Sequence, residues 1–189
     1  MRSDYEIVEF RAALSWRTWL DANHANTDGV WLRMYKKASG VPSVTYAQAL
    51  DDALCYGWID GQSKSYDDVS FIQKFTPRRA RSMWSKRNIE HAARLETEGL
   101  MKPAGLAEAE RAKADGRWQA AYDRPTEMVI PIDFLAAINK NKKALATFET
   151  LNRTSLFTIG FKLQTAKKPE TRANRMAAII KLLEEGKKP

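Results

Sequence analysis

The run TYAQALDDALCYGWIDGQ, residues 45–62, is the most informative part of the sequence, because it specifies a helix, the end of that helix and the start of a strand. Thr45 and Gln48 have the spacing of a capping box, in which each side chain accepts a hydrogen bond from the other residue's backbone N–H. Gly57 favours the helix end. Apolar residues repeat between them at helical spacing: Tyr46, Ala49, Leu50, Ala53 and Leu54. We therefore predict one helix with an apolar face that ends at Gly57.

Two strands are predicted to follow this helix. The runs WIDGQ at 58–62 and FIQKFTP at 71–77 are rich in β-branched and aromatic residues, and Tyr66–Asp68 suits the turn between them. Upstream, residues 8–23 predict an amphipathic helix, and residues 30–37 alternate in the manner of a strand. The order α-β-α-β-β predicts an α+β fold with a small antiparallel sheet packed with helices.

Helices are expected in the remainder of the chain, since no strand pattern occurs after Ser85. Pro125 and Pro131 disfavour a continuous helix and mark a linker. We predict two domains, an α+β module with trailing helices at 1–124 and an all-helical C-terminal region at 125–189. The helical patterns cover 88–98, 103–114, 132–139, 142–151, 155–165 and 169–186.

Composition limits the class of protein. The chain has 189 residues, 44% of them hydrophobic, a net charge of +8 and a pI near 9.6, so it favours anionic partners such as nucleic acid, anionic membrane surfaces or acidic ligands. One cysteine and two histidines predict no internal disulfide and no metal cluster. No apolar run approaches a membrane span, and residues 1–6 do not resemble a secretory signal, so we expect a cytoplasmic protein.

Residues suited to catalysis are few. Cys55 lies in an apolar helical stretch with no base nearby, so it is interpreted as a small buried hydrophobe. Asp51–Asp52 point in different directions on a helix and Asp67–Asp68 suit a turn, so both pairs are predicted to be solvated. His24 and His91 are predicted at the surface. No phosphate-binding glycine loop occurs, which excludes nucleotide binding through the folds that use one. Together, these observations predict no catalytic residue and no cofactor.

A basic, aromatic segment is the main candidate for a binding surface. Six basic residues and no acidic one occur between Lys74 and Arg87. Arginines form planar, multidentate bonds to carboxylate or phosphate, and indoles offer stacking surfaces. In the alternative interpretation, the aromatic rings are core residues and the arginines pair with nearby aspartates, above all Asp60. The candidate ligand-binding residues are Trp58, Asp60, Arg78, Arg79, Arg81 and Trp84.

A second basic cluster lies near the C-terminus. Arg172 and Arg175 are one helical turn apart, so they can share a face and contact phosphate or an acidic partner. The alternative is a solvated helix face. The cluster comprises Lys167, Lys168, Arg172 and Arg175.

Six short motifs are distributed along the chain: LCYGWIDGQ (54–62), FTPRR (75–79), MWSK (83–86), PAG (103–105), ADGRW (114–118) and AKKPETR (166–172). Together they resemble the YdeI/OmpD-associated family, called bacteriocin-protection proteins. The resemblance covers nearly the whole chain. It implies a role in bacteriocin, antimicrobial-peptide or envelope-stress tolerance, and it implies no particular reaction.

Three hypotheses follow for function. The first is a non-enzymatic cytoplasmic protein that binds an anionic ligand or an acidic protein partner in that tolerance. The second is nucleic-acid binding through the two basic clusters, which predicts a steep salt dependence. The third is an enzyme or sensor for a small anionic metabolite, with Arg78 and Arg79 as the clamp.

Overall fold

The computed structural model describes residues 5–189 and divides the chain into two compact units. The first unit runs to Trp84 and includes Asn88–Ala120, and the second contains Ser85–Arg87 and Ala121–Pro189. This division does not test the predicted domain boundary at residue 124, which stays a prediction.

A four-stranded sheet forms the centre of the first unit. Its strands are β1 (Ile7–Glu9), β2 (Val30–Tyr35), β3 (Trp58–Ser65) and β4 (Ser70–Pro77), in the spatial order β1-β2-β4-β3. β2 and β3 both pair antiparallel with β4, while β1 pairs parallel with β2. The α+β class and the helical C-terminal part are thus confirmed, and the sheet is mixed because of β1.

Strand β1 replaces the start of a predicted helix. The helix expected from residue 8 begins instead at Ala13, as α1 (Ala13–Asn23), and Ile7–Glu9 pair with Trp31–Arg33. A strand of three residues is too short for its alternation to be distinguished from a helical repeat.

Helix α2 (Tyr46–Cys55) begins and ends as its sequence predicts. The backbone N–H of Thr45 donates to Gln48 Oε1 at 3.0 Å, and the N–H of Gln48 donates to Thr45 Oγ1 at 3.3 Å, so the capping box is formed. Gly57 has a φ of +73°, which side-chain-bearing residues rarely adopt. The chain therefore turns directly from α2 into β3.

The core of the first unit is rich in indole rings. Trp16 of α1 stacks on Trp19 with ring centroids 5.4 Å apart, contacts Phe75 of β4 at 5.6 Å and donates its Nε1–H to the Ala49 carbonyl at 3.1 Å. The alternating residues Val30, Leu32 and Met34 of β2 are buried as their pattern predicts. Helix α1, helix α2 and the sheet thus share one core.

Two helices complete the first unit. Helix α3 is Lys86–Thr97, of which Asn88 onwards belongs to this unit, and α4 is Pro103–Ala114. α4 approaches α2 closely at Gly105, where a Cβ would lie 2.6 Å from the backbone oxygen of Leu54. A residue without a side chain is therefore needed at this crossing.

The second unit is built from four helices: α5 (Ile132–Ile138), α6 (Lys142–Glu149), α7 (Arg153–Gln164) and α8 (Pro169–Glu184). Its core is apolar and contains Phe134, Ile138, Ala144, Ile159, Leu163, Ile179 and Leu183. The segment before α5, predicted as a linker, crosses α7 at Gly160, where a Cβ would lie 2.6 Å from Met128 Sδ. Met128 thereby holds this irregular segment against the helices.

None of the helices within residues 5–189 is long and apolar enough to cross a membrane.

Candidate functional site

Trp58 and Asp60, the strand members of the predicted binding surface, have partners inside the first unit. Trp58 is 1% exposed, donates its Nε1–H to the His24 carbonyl at 3.1 Å and lies edge-on to Trp19 at 6.0 Å. Asp60 accepts a hydrogen bond from the Tyr46 hydroxyl at 2.8 Å. Trp58 is therefore a core residue, and the predicted pairing of Asp60 with an arginine is wrong because Asp60 binds the tyrosine of α2 instead.

Arg78 and Trp84 are brought together. Arg78 is 5% exposed, and its guanidinium carbon lies 3.5 Å from the centroid of the Trp84 ring, which is a cation–π contact. Its Nη1 donates to the Met83 carbonyl at 3.4 Å, and its backbone N–H donates to the Gly57 carbonyl at 2.9 Å. This arginine therefore stabilises the fold of the 78–84 turn.

The turn is also stabilised by Arg117, which is outside the predicted binding surface. Arg117 is 6% exposed, donates from Nη1 to the Ser82 carbonyl at 2.8 Å and pairs through Nε with Asp115 at 2.7 Å. The next residue, Trp118, packs on Trp84 with ring centroids 4.9 Å apart. The motif at residues 114–118 thus supports the turn, although it lies some 35 positions away.

Arg79 and Arg81 are the members of the predicted surface that remain exposed. The backbone N–H of Arg79 donates to the Ser82 hydroxyl at 3.2 Å, which shapes the turn. Within residues 5–189 no ion pair involves the side chain of Arg79 or Arg81. Of the six predicted residues, these two guanidinium groups are thus presented to solvent, Arg78 and Trp84 form one stack, and Trp58 and Asp60 lie within the packing of α1, α2 and the sheet.

The carboxylates of α2 are engaged and not solvated, so that prediction is wrong. Asp52 is 1% exposed and accepts from Arg17 Nε at 2.7 Å, while burial raises its pKa and the arginine opposes this rise. Asp51 Oδ1 lies 2.6 Å from Nδ1 of half-buried His91, and its Oδ2 lies 2.5 Å from Arg94 Nη2. Residues from α1 and α3 thus meet this pair of aspartates.

The lone cysteine is unsuited to nucleophilic chemistry. Cys55 is 2% exposed, and burial raises the pKa of its thiol to about 11. Since the thiolate is the reactive form, almost none is present at neutral pH. In the part of the chain that the structure covers, no three histidine, cysteine, aspartate or glutamate side chains converge in a manner suited to a metal ion.

Like the first basic segment, the C-terminal basic cluster contains both internally bonded and exposed side chains. Arg172 forms an ion pair with Asp133 of α5, with Nη2 2.8 Å from Oδ1, and this bond lowers the pKa of the carboxyl. Arg175 donates from Nη1 to the Lys162 carbonyl at 2.7 Å. Lys167 and Lys168, just before α8, are exposed, and no ion pair is formed by either among the described residues.

The positive charge of the chain belongs to one unit. The second unit has 15 Lys+Arg and 7 Asp+Glu, whereas the first has 16 of each, so the whole net charge of +8 lies in the second. Residues 74–84 of the basic segment are locally positive, but acidic residues elsewhere in the first unit balance them, while Lys86 and Arg87 are counted with the second unit.

A cleft of about 300 Å³ opens on the second unit. Two apolar side chains at its edge are largely in water, with Val129 73% exposed and Ile132 84% exposed. Lys86 pairs with Asp123 at 2.5 Å, and Gln164 donates to the same carboxylate at 2.9 Å. The lining residues are Asp123, Val129, Ile130, Pro131, Ile132, Leu163, Gln164 and Arg172.

Two family models match different parts of the chain. Residues 8–108, more than half of the chain, match the model described as "Domain of unknown function (DUF8412)". Residues 127–186 match the model described as "Bacteriocin-protection, YdeI or OmpD-Associated". No curated protein and no solved structure matches the chain.

The matches confirm the resemblance seen in the sequence and locate it. The bacteriocin-protection model covers the cleft from Val129 onwards and the cluster Lys167–Arg175, all within the second unit. The motifs at 54–62 and 75–79, which carried much of the resemblance, fall instead in the region of the other model. The chain belongs to the family of the domain of unknown function DUF8412, and residues 127–186 of its second unit are similar to the YdeI/OmpD-associated, bacteriocin-protection family.

Proposed function

We propose that this protein acts in bacteriocin protection by binding an acidic protein partner through its second unit. The observation that carries the proposal is that the unit matching the bacteriocin-protection family holds the entire net charge of +8. A concentration of one sign of charge attracts partners of the opposite sign and accelerates their encounter.

Exposed lysines supply the contact points of this surface. Lys140 lies between α5 and α6, Lys142 and Lys143 begin α6, and Lys167 and Lys168 lie before α8. Within residues 5–189 none of these five side chains forms an ion pair. An incoming carboxylate therefore gains their attraction without displacing an internal partner.

Binding without catalysis fits the chemistry of the remaining polar groups. The pKa of the Cys55 thiol is about 11, and His91 and Arg94 contact the same carboxylate of Asp51 in a compact ion-pair network. We therefore include the absence of a catalytic step in the proposal.

Two charge-reversal variants test which basic cluster binds. Lys167→Glu/Lys168→Glu and Arg79→Glu/Arg81→Glu change the net charge by the same amount at exposed positions of different units. Binding of each to polyglutamate is measured at low and physiological salt, and each is used to complement a deletion strain challenged with bacteriocin. We expect the lysine variant alone to lose at least tenfold in affinity and to fail in protection.

The opposite pattern, loss only in the arginine variant, would refute the proposal and assign binding to the first unit. Duplex DNA serves as a second polyanion in the same assay. Tight binding to DNA with a steep salt dependence, and none to polyglutamate, would replace the protein partner with nucleic acid.

A further inference from the structure

The cleft of the second unit combines an apolar lining with an exposed apolar edge. Val129, Ile130, Pro131 and Ile132 contribute one continuous stretch of its lining, called here the wall, and Leu163 of α7 also lines it. Val129 and Ile132 leave most of their surface in water, which costs about 25 cal/mol per Å² of apolar area relative to burial. A partner that covered both side chains would recover this free energy.

The same wall offers unused backbone groups. In the described part of the chain, no hydrogen bond joins the backbone of Val129 or Ile130 to another group. Pro131 continues this wall in an extended conformation, with φ −61° and ψ 139°. Backbone N–H and C=O groups that have no partner are able to pair with an extended chain, as those of a sheet edge do.

The wall is fixed in place by its own neighbours. Met128 fills the space above Gly160 of α7, and α5 begins at Ile132 directly after the wall. The free backbone groups therefore lie on a segment that is already positioned, so a partner need not order it.

The charged residues that line the cleft are already paired. Asp123 is paired with Lys86, and Arg172 is paired with Asp133, so neither offers a free charge. Lys167 and Lys168, in the connection between the lining residues Gln164 and Arg172, are exposed and have no ion-pair partner among the described residues. The unpaired charge between these two lining residues in the chain is thus positive.

We propose that the cleft binds an extended segment of the partner protein, in which apolar side chains alternate and acidic residues flank them. The apolar side chains cover Val129 and Ile132, the backbone pairs with residues 129–130, and the acidic flank contacts Lys167 and Lys168. This inference rests on the proposed binding function and specifies the chemistry of the partner.

A random octapeptide display library, panned on the full-length protein with Ile132→Glu as counter-selection, tests the proposal. The selected peptides are synthesised with a fluorescent label and their dissociation constants are measured by polarisation. We expect alternating apolar residues with Asp or Glu at one end, and at least tenfold weaker binding to Val129→Glu and Ile132→Glu. Leu14→Glu is the matched control, because Leu14 of α1 is 73% exposed and lies in the other unit.

N-methylation of single peptide amides tests the backbone pairing, and at least one such change is expected to weaken binding tenfold. A library that yields no peptide sensitive to Ile132→Glu, or only basic peptides, overturns the proposal. Equal binding of every N-methylated peptide also overturns it, as does a dimer of the protein that Ile132→Glu dissociates. If selected peptides depend on Lys167 and Lys168 but not on Val129 or Ile132, the proposed function stands and the cleft proposal fails.

Discussion

Replacing Arg17 by alanine is expected to destabilise the first unit, because it leaves the carboxylate of Asp52 buried without its cation. Arg17 Nε and Nη2 lie 2.7 and 2.6 Å from Asp52 Oδ1, and the other oxygen of Asp52 is buried without a hydrogen-bond partner among the described residues. Breaking a buried ion pair costs about 3–5 kcal/mol. Since the Arg17 side chain is 42% exposed and water reaches it, we expect a smaller loss of about 2–3 kcal/mol.

Thermal unfolding followed by tryptophan fluorescence is the assay, because all six tryptophans lie in the first unit. The expected loss corresponds to a fall in Tm of about 5–10 °C for a chain of this size. Arg11→Ala is the control, since Arg11 is exposed and precedes the same helix, and its effect is expected within about 0.5 kcal/mol.

Because the charge on Asp52 causes the expected loss of stability, pH and a second substitution that removes this charge should both alter the loss. Burial raises the pKa of Asp52 in the folded state, so this group favours folding at low pH and loses that contribution as pH rises through its folded pKa. Loss of Arg17 favours the neutral carboxyl further, so the deficit of Arg17→Ala should shrink as pH falls. Asp52→Asn should restore much of the stability of Arg17→Ala. Strict additivity of the two substitutions, or a deficit independent of pH, would refute the reasoning.

Three further outcomes are expected. Gly105→Ala forces a Cβ against the backbone carbonyls of α2 and should cost about 1–3 kcal/mol in thermal unfolding, whereas Gly61→Ala, whose Cβ would lie 3.5 Å from its nearest neighbour, should change little. Cys55 should resist iodoacetamide at pH 8 in the native protein, because its thiol is buried with a pKa of about 11, and should react in denaturant; fast native labelling would contradict this. Asp133→Asn should destabilise at neutral pH, and this effect should diminish in acid, because the folded state lowers the pKa of Asp133 and its contribution is lost as pH falls through that value. Circular dichroism measures this last effect, and a deficit that persists at low pH would show that the ion pair with Arg172 is not its cause.

Local signals in the sequence predicted most of the elements of the fold. The capping box at Thr45, the stop at Gly57 and the alternation in β2 are each encoded within a few residues, and the structure has all three. Strand β1 was missed because its pairing with β2, some 24 positions away, defines it more than its three residues do. Short-range patterns therefore located the long elements and missed the shortest one.

The candidate site was harder to predict, since it depends on contacts between distant residues. Asp51 and Asp52 were expected in solvent, but Arg17, His91 and Arg94 reach them from helices 35 to 43 positions away. The residues around Arg78 carry a local excess of positive charge. Acidic residues elsewhere in the first unit balance this excess. The sequence lists every charged residue, but equal numbers of acidic and basic residues in the first unit can be recognised only when the structure defines the bounds of that unit.

Confinement of the net charge to one unit affects how copies of the protein behave in concentrated solution. Mutual repulsion between molecules comes from the second unit, because the first has equal numbers of acidic and basic side chains. A polyanion that neutralised the second unit would leave no excess charge to keep molecules apart. Mixtures should consequently become turbid near charge equivalence and clear again when salt is added, since ions weaken the attraction that formed the complex.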